Sequence, residues 1–65
     1  MVRINGEDIE NIEGKSIARY LVEAGYDSRR VAVERNGAIV PKASYEEVII
    51  SEADTLEVVS FVGGG

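Results

Sequence analysis

The 65-residue sequence contains no cysteine and no histidine. The first absence excludes disulfides, thiolate metal sites and a cysteine nucleophile. The second removes the commonest general base and the commonest metal ligand. Basic side chains are missing from the whole of 43–65. No run approaches the roughly 18–20 apolar residues that a membrane span needs. Met1–Asn5 already alternates as a strand and carries no apolar stretch of the secretory kind, so the cytoplasm is the expected compartment. A chain of this length buries only roughly 60% of the surface its unfolded form exposes. That leaves little room for a ligand pocket of the usual few hundred Å³. No catalytic side chain, metal site or bound cofactor is therefore assigned, and an independent enzyme is not expected.

What is present reads as one folded domain: 45% of residues are hydrophobic and 29% charged. The net charge is −5, and it is unevenly placed. Residues 1–42 balance seven basic against seven acidic side chains, whereas 43–65 carry Glu46, Glu47, Glu52, Asp54 and Glu57 with no base. Phosphate backbones are repelled by such a surface, which argues against nucleic acid. It either keeps a small domain soluble or steers a basic protein partner.

Val2 and Ile4 alternate with Arg3 and Asn5, the period of a strand with one buried face. Asn5-Gly6 suits the positive φ of a tight hairpin, and Ile9 and Ile12 bracket a more polar return. Ser16 is a candidate N-cap. Ile17, Tyr20, Leu21 and Ala24 then form one helical stripe, closed by Gly25 at a left-handed C-cap. Val31 and Val33 begin a third strand, Asn36-Gly37 a second hairpin and Ala38–Val40 its return. Pro41 stops that strand. A short helical turn is expected near residues 43–47, with Tyr45 facing inward. Ser51–Asp54 reads as a solvated turn, and Thr55–Val62 as the last strand. The order predicts an α+β fold: a mixed sheet of four to five strands packed on one main helix.

In the last strand Leu56 and Val58 share one face, and Glu57, Val59 and Phe61 the other. With Leu56 and Val58 inside, Val59 and Phe61 point outward. Either a loop or strand twist covers them, or they form, with Val62, a partner-docking patch. The expected domain is 1–62, followed by a tail at 63–65. Gly63, Gly64 and Gly65 offer nothing to pack. Counted from Val62, the end reaches about 13–14 Å when extended. A terminus without side chains can be threaded into a narrow channel of another enzyme, where its carboxylate becomes the reactive group.

These residues bring the chain to a family. The segment Val31-Ala32-Val33-Glu34-Arg35-Asn36-Gly37-Ala38-Ile39-Val40-Pro41, the Asn5-Gly6 opening and the ending Phe61-Val62-Gly63-Gly64-Gly65 resemble the ubiquitin-like β-grasp sulfur carriers, most closely the ThiS family of thiamine (thiazole) biosynthesis. The resemblance covers the whole chain. It implies a carrier rather than an enzyme. A ThiF-like adenylating enzyme, using ATP and Mg, would activate Gly65, with Gly63 and Gly64 threaded into its active site. Sulfur from a cysteine desulfurase or another persulfide donor would convert Gly65 to a thiocarboxylate, and a ThiG-like thiazole synthase would accept it. Two alternatives remain: a carrier of the molybdopterin-synthase small-subunit type, and a protein-binding module with an inert tail. With only Lys15 and Lys42, a chain-building modifier is disfavoured.

Overall fold

The computed structural model describes residues 1–61. Five strands, β1 (Val2–Ile4), β2 (Glu7–Ile9), β3 (Val31–Arg35), β4 (Ala38–Val40) and β5 (Thr55–Ser60), form one sheet in the order β2-β1-β5-β3-β4. The central pair β1–β5 is parallel, and the other pairings are antiparallel. One α-helix, α1 (Ile17–Glu23), lies between the hairpins in the chain, and short 3₁₀ turns occupy Ser28–Arg30 and Lys42–Ser44. The arrangement is the ubiquitin-like β-grasp that the resemblance implies, with five strands. Among the described residues no helix is long and apolar enough to cross a membrane.

Both hairpins owe their register to Asn-Gly. Asn5 and Gly6 have φ of 51° and 83°, and Asn36 and Gly37 have 52° and 87°. Two consecutive positive φ angles make a two-residue turn whose twist matches that of the flanking strands. The partners closing these turns are Ile4 with Glu7 and Arg35 with Ala38.

A seven-residue helix is marginal alone and depends on packing and on its ends. Its first three amides all find acceptors. The N–H of Ile17 donates to the Val48 carbonyl (3.0 Å), that of Ala18 to the Tyr45 carbonyl (2.8 Å), and that of Arg19 to Ser16 Oγ (3.0 Å). At the other end, Gly25 N–H donates to Val22 and Tyr26 N–H to Leu21, around a glycine at φ 89°. This paired bonding ends the helix and satisfies its last carbonyls. The expected stripe is therefore one residue too long: Ala24 is the C-cap and is exposed.

The core lies between α1 and the inward face of the sheet. Ile17 and Leu21 of the helix meet Val2, Ile4, Val31, Val33, Leu56 and Val58, while Ile12, Val40, Tyr45 and Ile50 close its margins. The helical turn expected at 43–47 is a 3₁₀ turn at Lys42–Ser44 that continues through hydrogen bonds from Glu47 and Val48 to the Ser44 carbonyl. It turns Tyr45 inward, where burial raises the pKa of its phenol.

Candidate functional site

The site anticipated from the sequence is the end of β5 and the tail beyond it. β5 is flanked by β1 on one side and β3 on the other. Along it, burial alternates: Leu56 and Val58 are buried, while Thr55, Glu57 and Val59 are exposed. Side chains on successive strand residues point to opposite faces, so the inward pair completes the core and the others lie on the open face. Val59 is 56% exposed and Phe61 59%. Neither is covered by a loop within the described residues. The strand ends at Ser60, but Phe61 stays in line, its N–H donating to the Arg30 carbonyl at 2.7 Å. Val62, Gly63, Gly64 and Gly65, together with the boundary expected at 62/63, lie outside the described residues.

The base of this region is held by a turn that the sequence did not signal. Asp27 caps the 3₁₀ turn at Ser28–Arg30, its Oδ1 accepting from Arg29 N–H at 3.0 Å. Its carboxylate also meets the guanidinium groups of Arg29 and Arg30 at 3.4 and 3.7 Å. The Arg29 backbone and side-chain hydrogen bonds hold its pKa below the usual carboxylate value. Lys42 Nζ donates to the carbonyls of Arg29 (2.9 Å) and Val31 (3.1 Å), fastening the end of the turn to the start of β3. Arg29 and Arg30 thus flank β3, and Arg30 carries the carbonyl that positions Phe61.

The start of β5 departs from expectation. Asp54, expected in a solvated turn, is 6% exposed. Its carboxylate accepts from Arg35 Nε at 2.9 Å, Asn36 Nδ2 at 3.0 Å and Ser51 N–H at 2.9 Å. Burial alone would raise its pKa, but the hydrogen bonds from Ser51, Asn36 and Arg35 outweigh it and hold the pKa below the ordinary value. Asn36 Oδ1 also accepts from Thr55 N–H at 2.9 Å. On the other side of β5, the Asn5 amide spans Val58, accepting its N–H at 2.8 Å and donating to its carbonyl at 3.1 Å. The two turn asparagines therefore grip β5 from both flanks.

Glu46, Glu47 and Glu52 are exposed. Among the described residues, no group of three or more His, Cys, Asp or Glu side chains is placed to hold a metal ion. A depression of about 420 Å³ between α1 and the 3₁₀ turns is bordered by Val22, Arg29, Lys42 and Glu46. Its lysine is already engaged by backbone carbonyls. The open face of β5, with the exposed side chains of Val59 and Phe61, remains the candidate site.

Comparison with known proteins fits this geometry. The ThiS family model matches residues 2–65. A thiazole synthase of Paramagnetospirillum magneticum (strain ATCC 700264 / AMB-1) is 50% identical over 62 residues, covering 95% of this chain. The chain spans only 19% of that protein's length. The sulfur carrier protein ThiS of Bacillus subtilis (strain 168) is 36% identical over 66 residues, with both chains covered in full. The crystal structure of a thiamine biosynthesis protein (ThiS) from Geobacter metallireducens shares the fold, with a TM-score of 0.76 at 22% identity, over 98% of this chain and 97% of that one.

Proposed function

The chain belongs to the ThiS family, and from that premise we propose that it is a sulfur carrier of thiamine biosynthesis whose C-terminal Gly65 bears the sulfur. The observation that carries this reading is the full-length likeness to the Bacillus subtilis carrier, with a family match that runs to residue 65. The chain acts as a co-substrate, and its partners supply the catalysis. A ThiF-like enzyme binds ATP with Mg, and the Gly65 carboxylate attacks the α-phosphate, releasing pyrophosphate and leaving an acyl-adenylate. A persulfide from a cysteine desulfurase or a similar donor attacks the acyl carbon and expels AMP. A thiol then cleaves the sulfur–sulfur bond, freeing the thiocarboxylate. Side-chain-free Gly63 and Gly64 allow close backbone approach in the partner's channel. Val59, Phe61 and Val62 form the docking patch beside it. This ATP-dependent cycle belongs in the cytoplasm.

A ThiG-like thiazole synthase is the proposed acceptor. The Paramagnetospirillum magneticum thiazole synthase supports this choice over molybdopterin synthesis, because a stretch matching this chain lies within its single polypeptide. The test is intact mass after incubation with ATP, an adenylating enzyme and a persulfide donor. One oxygen-for-sulfur exchange is expected, lost when Gly64 and Gly65 are deleted. No mass change beside a demonstrably active enzyme overturns the carrier reading in favour of a binding module with an inert tail.

A further inference from the structure

Strand pairing sets Glu34 of β3 directly opposite Glu57 of β5, on the open face of the sheet. Side chains so paired have Cβ atoms about 4.5–5.5 Å apart, and like charges in this position destabilise a sheet. Among the described residues neither carboxylate has an ion-pair partner. Arg3 and Arg35, the basic residues of the strands, are engaged by Asp8 and Asp54. The acidic pair has an apolar border. Ile39, opposite Glu34 on β4, is 75% exposed. Val59 lies two residues along from Glu57, roughly 6.5 Å toward the tail, opposite Ala32.

We propose that Glu34 and Glu57 together receive one cationic side chain, an arginine, from the enzyme that activates the tail. The inference rests on the carrier reading above and adds the chemistry by which the partner is recognised. Two carboxylates side by side offer more acceptors than one ammonium point charge uses. A guanidinium presents five donors in a plane, bridges carboxylates and is weakly hydrated, which suits the apolar border. In the free chain the two charges repel. On docking, the guanidinium neutralises both while Val59 and Ile39 exclude water around it, and the lower dielectric strengthens the contact. A second copy of this chain does not fit, since a face-to-face dimer sets carboxylates against carboxylates. Nucleic acid is excluded for the same reason.

The experiment compares the wild-type chain with Glu34→Gln, Glu57→Gln and the double variant in ATP–pyrophosphate exchange by a ThiF-like adenylating enzyme, over a salt series. The double variant is expected to raise KM for the carrier at least tenfold and to flatten its salt dependence. Its Tm is expected to equal or exceed that of the wild type. Unchanged KM and salt dependence, beside a wild-type chain that is adenylated, overturn this inference alone. A lower Tm for the double variant overturns it as well, because the pair would then stabilise the free fold. A wild-type dimer in sedimentation that the double substitution abolishes assigns the face to a second copy and overturns it too. Failure of an active enzyme to adenylate the wild type removes the carrier reading, and this inference with it.

Discussion

Replacing Asp54 tests whether the start of β5 is held as the geometry says. Asp54→Ala removes the acceptor of three hydrogen bonds, one of them from the Arg35 guanidinium at 2.9 Å. Breaking a buried ion pair by deleting one partner costs about 3–5 kcal/mol. Arg35 remains 34% exposed and can regain water, which places the loss near the lower limit, about 3 kcal/mol. A domain of this size holds only about 3–5 kcal/mol in all, so the variant stands at the threshold of folding. Its Tm should fall by about 12–24 °C, at about 4–8 °C per kcal/mol. Asp54→Asn retains an oxygen for Ser51 N–H but loses the charge, and should cost about 1–2 kcal/mol. The pH profile gives an independent readout. The folded-state pKa of Asp54 lies below its ordinary value, so its contribution is complete above the unfolded pKa of about 3.9 and is lost as pH falls through the folded one. Asp54→Asn should flatten that acid limb. Urea unfolding followed by circular dichroism, from neutral pH down to about pH 2, measures both effects. A loss below about 0.5 kcal/mol for Asp54→Ala, with the acid limb unaltered, would show that the carboxylate is solvated and the reasoning wrong.

Leu21 is fully buried, so Leu21→Ala should cost about 2–5 kcal/mol and leave little folded protein by circular dichroism. Gly25 sits at φ 89° with open space where a Cβ would go. Gly25→Ala should therefore lose about 1 kcal/mol from backbone strain alone, read as a lower urea midpoint at unchanged slope. Phe61→Ala removes an exposed ring but keeps the backbone bond to Arg30. It should shift stability by less than about 0.5 kcal/mol while weakening binding to the adenylating partner, measured by calorimetry. A large drop in Tm with unchanged binding would place that ring in the core.

The parts of the fold legible in the sequence are those set by neighbours in the chain. Asn5-Gly6 and Asn36-Gly37 declare their turns because the backbone there needs positive φ, and Ser16 and Gly25 mark the helix ends for equally local reasons. The alternation in β5 predicts its inward pair. What escaped depends on strand register. Ser51–Asp54 is polar and looks like any surface turn, and only the approach of Arg35 and Asn36, 19 and 18 residues away, buries its carboxylate. Asn5 grips Val58 across 53 residues. Glu34 lies in residues 1–42, where charge balances, yet pairing sets it beside Glu57 in the C-terminal third, where it does not. The acidic character of the site thus belongs to the sheet rather than to the C-terminal third alone.

β5 serves the fold with one face and, in the proposed function, recognition with the other, and those demands conflict unless its register is secured. A slip of one residue would drive Leu56 and Val58 outward and carry Glu57 and Val59 into the core. The asparagines oppose such a slip from both sides. Asn36 exchanges hydrogen bonds with Thr55, through its backbone N–H to the carbonyl and its side-chain oxygen to the N–H. Asn5 donates its N–H to Leu56 and spans Val58 with its amide. Beyond the contact with Val58, the guide shifts to the β3 side, where Ser60 pairs with Val31 and Phe61 bonds to Arg30. Register is therefore fixed by the inward side chains and by bonds to the β5 backbone, none of which uses the side chains of Glu57, Val59 or Phe61. These three are released from holding the fold, which is why the surface can carry an apolar patch and an uncompensated charge pair in a domain with so little stability to spend.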